Sequence, residues 1–133
     1  MLKATLHTDG GARGNPGPAG VGAVLSMNKK EQGFKKYIGE ATNNQAEYQA
    51  LILGLEKAKD AGVVEIECYL DSELVVKQLK REYKVKNKDL ALLFVKVWNL
   101  SNEFKKISYN HIYREDNTKA DALVNEAIDE ALQ

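Results

Sequence analysis

Four carboxylic acids stand out in this 133-residue chain because each sits where a periodic stretch begins or ends: Asp9 after LKATLHT, Glu47 in TNNQAEYQAL, Asp71 in YLDSELVV and Asp121 in DNTKADAL. Buried together without counterions, four such groups would repel one another and hold on to protons. Hard divalent cations remove that difficulty, because magnesium takes oxygen ligands and keeps waters that phosphate oxygens can replace. Two ions ~4 Å apart can activate a water and stabilise the leaving oxygen of an in-line phosphoryl displacement, and four carboxylates balance their charge. Zinc fits less well, since two histidines and one cysteine show no tight ligand spacing such as HExxH or CxxC. Each acid also has a plain structural use. Glu47 could close a capping box opened by Asn44, and Asp71 and Asp121 could each favour the positive end of a helix. Thr42 with Gln45 offers the same box earlier, however, and Glu47 shares the face of Leu51 and Leu55, which should aim it at a sheet.

The elements that must position these acids follow from the pattern. Residues 2–9 alternate and predict a strand, Val21 to Met27 a second, and Phe34 to Ile38 a third, with NKKEQG as the hairpin connection. From Thr42 the period turns helical, with Leu51, Ile52, Leu55 and Ala58 on the apolar side and Gly62 as the stop. Residues 63–71 alternate again, placing Ile66, Cys68 and Leu70 on one side, and Ser72 caps a helix carrying Val75, Val76 and Leu79. The basic connection KREYKVKNKD leads into a longer amphipathic helix with Leu90, Leu93, Phe94, Val97 and Leu100, in which Trp98 reads as a core residue. The strand ISYNHIY and a last helix from about Thr118 close an α/β pattern of mixed sheet direction, in one domain spanning residues 1–133.

Composition narrows the function classes. Apolar content of 44% and charged content of 29% are those of an ordinary globular domain. Nineteen basic and nineteen acidic residues cancel, so an anionic partner must be held by a local patch. The lone Cys68 cannot form an internal disulfide and is expected to pack inside a sheet, which suits a reducing cytoplasm. No apolar run approaches the ~20 residues of a membrane span, so no membrane association is expected.

With these residues in place, the chain is identified as a member of a known family. TDGGARGNPGPAGVGAV, TNNQAEYQAL, YLDSELVV and REDNTKADALVNEA, in that order, resemble the four signature segments of type 1 ribonuclease H across essentially the whole chain. The resemblance implies a five-stranded mixed sheet with its first three strands antiparallel and helices on both faces. It implies hydrolysis of the RNA strand of an RNA–DNA hybrid by two magnesium ions, with manganese as a possible substitute, giving 5′-phosphate and 3′-hydroxyl ends. Asp9 would bridge both ions, Glu47 and Asp71 would favour one, and Asp121 the other. No protein partner is implied, and a monomer suffices.

Substrate contacts are implied in the same way. Asn15, Thr42, Asn43 and Asn44 match positions that touch the hybrid's backbones, where neutral amides suit contact without base readout. Gly10 and Gly11 would let the RNA backbone approach the metals closely, in a loop from Gly10 to Gly22 that holds six of the ten glycines and both prolines. The stretch YREDNTKAD lacks the histidine usual in relatives and offers Arg114, which could attract phosphate but not act as a general base. His111, in the preceding strand, reads as structural. Glu73 follows Asp71-Ser72 where a glutamine is common. KREYKVKNKD is too short for a basic protruding helix, although Lys80, Arg81, Lys84, Lys86 and Lys88 could form a weaker phosphate-contacting edge. No extra hybrid-binding domain is expected ahead of the catalytic one, which points to the compact branch of the family. The competing readings are a noncatalytic nucleic-acid-binding module of the same fold and a transposase or junction nuclease on a related sheet. Retention of all four acids disfavours the first, and the compact spacing the second.

Overall fold

Alternating apolar residues and two tight connections build three long antiparallel strands at the start of the chain. In the computed structural model, which describes residues 2–133, these are β1 (Lys3–Ala12), β2 (Gly17–Met27) and β3 (Lys30–Ala41). They are followed by α1 (Asn43–Asp60), β4 (Glu65–Leu70), α2 (Glu73–Leu79), α3 (Lys88–Ser101), β5 (Lys106–His111) and α4 (Thr118–Ala131), with one 3-10 turn at Arg114–Asp116 before α4. The sheet order is β3-β2-β1-β4-β5. β1 and β2 pair antiparallel, as do β2 and β3, whereas β4 runs parallel to both β1 and β5. No helix among the described residues is long and apolar enough to cross a membrane.

Local chemistry explains most boundaries. Asn28 and Lys29 both adopt positive φ, so a two-residue turn of the kind that matches strand twist joins β2 to β3, and the expected NKKEQG connector contracts to that pair. Thr42 caps α1 in a complete capping box with Gln45, which removes any capping duty from Glu47. The left-handed Gly62 ends α1, and Ser72 and Asn87 cap α2 and α3 through their side chains.

Successive residues of a strand face opposite sides, and this settles where the helices lie. A Cβ placed on Gly10 would strike Ala46 of α1, whereas one on Gly11 would meet Val124 of α4, so the two helices cover opposite faces. The larger core lies under α1, α2 and α3 and includes Leu6, Leu51, Leu55, Cys68, Leu70 and Val75, all fully buried. Each such leucine contributes about 1.5–3 kcal/mol by leaving water. Inside this core the Tyr48 hydroxyl donates to Gln78 Oε1 at 2.7 Å and ties α1 to α2.

Three expectations need correction. The glycine-rich stretch is not one loop: β1 and β2 absorb most of it, leaving only residues 13–16 as the connection, with a cis peptide bond between Asn15 and Pro16. Gly20 and Gly22 serve helix packing, since a Cβ on Gly22 would lie 2.5 Å from the Ala120 carbonyl oxygen and one on Gly20 would lie 2.9 Å from that of Val124. Trp98 is not core. It is 43% exposed, and the Arg81 guanidinium lies 4.1 Å from its ring centre. His111 is exposed at the end of β5, edge-on to Tyr113, and packs into no core.

Gly22→Ala should therefore lower stability by about 2 kcal/mol or more, because backbone of α4 must move. Gly33→Ala meets only the flexible tip of Leu123 at 3.2 Å and should change it by less than about 1 kcal/mol. Urea unfolding of both variants checks the contrast.

Candidate active site

β1 is longer than its parallel neighbour, and the site forms where the two part. The β1–β4 ladder runs from Lys3↔Glu65 to Thr8↔Leu70 and ends there, while β1 continues beside β2 to Ala12. Asp9 is the first β1 residue beyond the ladder, inside the strand and not at its end, and Asp71 is the first residue after β4. Both thus stand where the parallel pairing of β1 and β4 ends, next to the carboxyl end of β4, in the kind of crevice where open α/β sheets bind ligands.

The N-terminal part of α1 supplies partners that a longer β4 would have provided. The Gly10 N–H donates to Glu47 Oε1 at 3.0 Å, and the Ala12 N–H donates to Asn43 Oδ1 at 2.9 Å. Gly10 makes this approach possible, because a Cβ there would sit 2.1 Å from the Ala46 carbonyl oxygen and 2.6 Å from the Glu47 nitrogen. The clearance expected of Gly10 for a substrate backbone is taken up by α1 instead. A Cβ on Gly11 would meet Val124 at 3.7 Å, an ordinary contact.

Glu47 is 6% exposed and Asp9 8%, and oxygens of Asp9, Glu47 and Asp71 all lie within 4.8 Å of one another. Asp121, in the first turn of α4, lies close enough to Asp9 to affect its charge but stands outside that tight group of three. Burial pushes the Asp9 carboxyl up to about 7, with the charges of Asp71 and Asp121 adding to the rise and a hydrogen bond with Glu47 opposing it. Burial, then the charge of Asp9, raises Glu47 well above the usual carboxylate range. Glu47 Oε2 is buried with no hydrogen-bond partner. An unpartnered buried oxygen among three clustered carboxylates fits a hard cation, which would supply both the missing contact and the missing positive charge.

The remaining residues singled out from sequence divide into two groups. Asn15 and Asn43 are bound to each other, with the Asn43 N–H donating to Asn15 Oδ1 at 3.0 Å. Together with Thr42, Asn44 and Gln45 they line a polar cleft whose far wall is Asn87, Asp89 and Leu90 at the start of α3. Asn87 was not apparent from sequence as a member of this cleft, since its position there depends on how α3 packs on α1. Glu73 is an exposed residue in the first turn of α2, paired with Lys77 at 3.0 Å and not part of the carboxylate group. Arg114 is exposed in the 3-10 turn and makes no ion pair among the described residues.

Sequence reasoning also missed Asn117. It is 2% exposed, and its side-chain amide donates to Asp71 Oδ2 at 3.1 Å and to the Thr8 carbonyl at 2.9 Å. The only signal was its place just before α4, which reads as an ordinary cap.

Comparison with known proteins agrees with this geometry. A family model described as "Reverse transcriptase-like" matches residues 7–127. A bifunctional protein of Mycobacterium tuberculosis is 44% identical over 99% of this chain, which spans 37% of that protein's length. A ribonuclease HI of Halobacterium salinarum is 47% identical over 94% of the chain, which spans 64% of it. A ribonuclease H of Legionella pneumophila is 30% identical, with 97% of the chain and 99% of the relative covered. Among solved structures, the N-terminal RNase H domain of the mycobacterial protein superposes with a TM-score of 0.96 at 44% identity, covering 100% of this chain and 98% of that one. LC11-RNase H1 in complex with an RNA/DNA hybrid superposes with a TM-score of 0.93 at 46% identity, covering 98% and 99%.

The raised Asp9 carboxyl makes the metal-free chain sensitive to pH in a defined direction. An unfolded aspartate titrates near 4, so between about 4 and about 7 the folded chain binds more protons than the unfolded one, and rising pH removes stability. In EDTA, Asp9→Asn should raise the Tm by several degrees at pH 8 and hardly at all at pH 5, where Asp9 is already protonated. Thermal melts of both proteins at both pH values check this, and equal differences at the two would mean that Asp9 is ionised throughout.

Proposed function

The chain belongs to the type 1 ribonuclease H family, and on that premise we propose that it hydrolyses the RNA strand of RNA–DNA hybrids, leaving 5′-phosphate and 3′-hydroxyl ends. The observation that carries the reading is the convergence of Asp9, Glu47 and Asp71 around a buried Glu47 oxygen that lacks a partner.

Asp9, Glu47, Asp71 and Asp121 would hold two magnesium ions, or manganese in their place, the first three as one close group and Asp121 from α4. When bound, the ions supply an activated water and stabilise charge on the leaving oxygen. The protein's part is to keep four carboxylates close enough to need that charge. Burial on β1 and α1 takes water away from Asp9 and Glu47, so that a cation would be what favours their charged forms, and the Gly10 N–H holds one Glu47 oxygen while the other stays buried.

The polar cleft beside the carboxylates suits a sugar-phosphate backbone. Asn15, Thr42, Asn43 and Asn44 present neutral donors and acceptors there, and Asn87 opposite them caps the positive end of α3. Gly10, packed under α1, and Gly11, against α4, would contribute backbone next to the metals, and Glu73 on α2 would contact substrate from outside the carboxylate group. Weak sequence preference follows, with RNA told from DNA by its 2′-hydroxyl. Arg114, exposed and in no ion pair among the described residues, would draw phosphate toward the site and cannot serve as a base. The unit would act as a monomer in the cytoplasm, with hybrid as its partner.

A labelled hybrid, duplex DNA and duplex RNA, each incubated with Mg²⁺, Mn²⁺ or EDTA, should show cleavage of the hybrid's RNA strand alone and none in EDTA. Absence of cleavage where a control enzyme cuts would leave a noncatalytic binding module. Asp71→Asn should keep the wild-type circular dichroism spectrum while losing about 10²–10³ or more of the rate. A near-normal rate would place the chemistry on other carboxylates.

A further inference from the structure

Asn117 occupies the capping position ahead of α4 yet does not cap it. A helix-opening asparagine ordinarily accepts a backbone N–H of the first turn through its side-chain oxygen. Here the side chain makes no such bond, and its Oδ1 is buried without a partner. The amide nitrogen is turned the other way, to the Asp71 carboxylate and the Thr8 carbonyl. A residue that gives up its cap and leaves a buried oxygen unsatisfied is being held by something other than helix stability.

What it touches shows what that is. Thr8 is the residue before Asp9, at the last rung of the β1–β4 ladder. Asp71 follows the last residue of β4. Through its backbone, the Asn117 carbonyl accepts the N–H of Asp121 at 3.1 Å in the first turn of α4. One buried side chain and its own carbonyl therefore join three segments that carry three of the four acids. Without it, Asp71 would sit at the open end of a strand, with its rotamer set by solvent and by repulsion from Asp9 and Glu47.

Resting on the reading above, we propose that Asn117 is a positioning residue for metal binding: its amide fixes the Asp71 carboxylate against β1 and thereby sets the spacing of Asp71, Asp9 and Asp121. The residue touches neither the reacting atoms nor the ions. It acts by removing rotational freedom from one ligand and by donating to that ligand's ionised form, the form a cation requires.

The test compares metal affinity with fold stability in the same variants. Asn117→Ala removes both donated bonds, and Asn117→Ser also removes the reach to Asp71 while putting a favoured capping residue before α4. Titration calorimetry with Mg²⁺ or Mn²⁺ should show affinity weakened by about 10–100-fold in each. The Mg²⁺ concentration for half-maximal hybrid cleavage should rise by a similar factor, with much of the rate recovered at saturating metal. The Asn117→Ser protein should keep a metal-free Tm close to that of the wild type. Variants that lose Tm but bind metal within twofold of the wild type would assign Asn117 to fold stability alone and overturn the proposal. Should Asn117→Ala fail to fold, the serine variant makes the same comparison. A wild-type chain that neither binds the ions nor cuts hybrid would instead overturn the function it rests on, an outcome visible before any variant is made.

Discussion

A mismatch in strand length governs this molecule. β4 stops at Leu70, while its neighbour β1 runs four residues past the last paired position to Ala12. Backbone N–H groups buried at such a step must find partners, and they find them on α1, Gly10 on Glu47 and Ala12 on Asn43. A carboxylate is thereby brought into the sheet as a substitute for a strand. Its first oxygen replaces a ladder bond, and its second is buried with no hydrogen-bond partner among the described residues. The same interaction that completes the secondary structure creates the acidic cluster.

This arrangement sets stability against function. Burial and mutual repulsion hold Asp9 and Glu47 above the ordinary carboxylate range, so the cluster opposes folding unless protons or cations compensate. The compensation comes from packing on both faces. The core under α1 and α2 is closed by large buried side chains and by the Tyr48–Gln78 bond. On the other face, Gly20 and Gly22 let the backbone of α4 lie directly on β2, which draws Asp121 toward Asp9. The ion pairs that also join α4 to the sheet, Arg13–Asp129 and Lys35 with Glu126 and Glu130, are largely exposed and add little. Close backbone packing carries the load that salt bridges do not.

Much of this was legible in the sequence, and the boundary of legibility has physical causes. The capping box at Thr42, the stop at Gly62, the buried side of β4 and the cap at Ser72 are local signals, written within a few residues of where they act. The grouping of Asp9, Glu47 and Asp71 was legible only from the four acids taken together and from the family resemblance, since each acid alone also suits a helix end. Gly10 was legible as special but for the wrong neighbour, since a missing Cβ does not say whether a ligand or a helix fills the space. Trp98 kept the helical spacing of core residues, but α3 buries only Leu90 and Val97, a tertiary fact absent from periodicity. Asn117 was hidden for the opposite reason: its local signal, an asparagine before a helix, was complete and pointed to a role the side chain does not perform.

The balance of charge follows the same logic of local provision. With net charge of zero, the chain attracts no polyanion as a whole. The short connection between α2 and α3 supplies a basic edge, and it is not a loose one. Arg81 adopts positive φ and lies over the exposed Trp98 ring, while Lys77 lies over Tyr83. Stacking an arginine on an aromatic face keeps its charge while fixing its place. An exposed tryptophan that looks like a failure of core packing thus gives the connection a rigid anchor, and Lys80 and Lys84 flank that anchor in sequence.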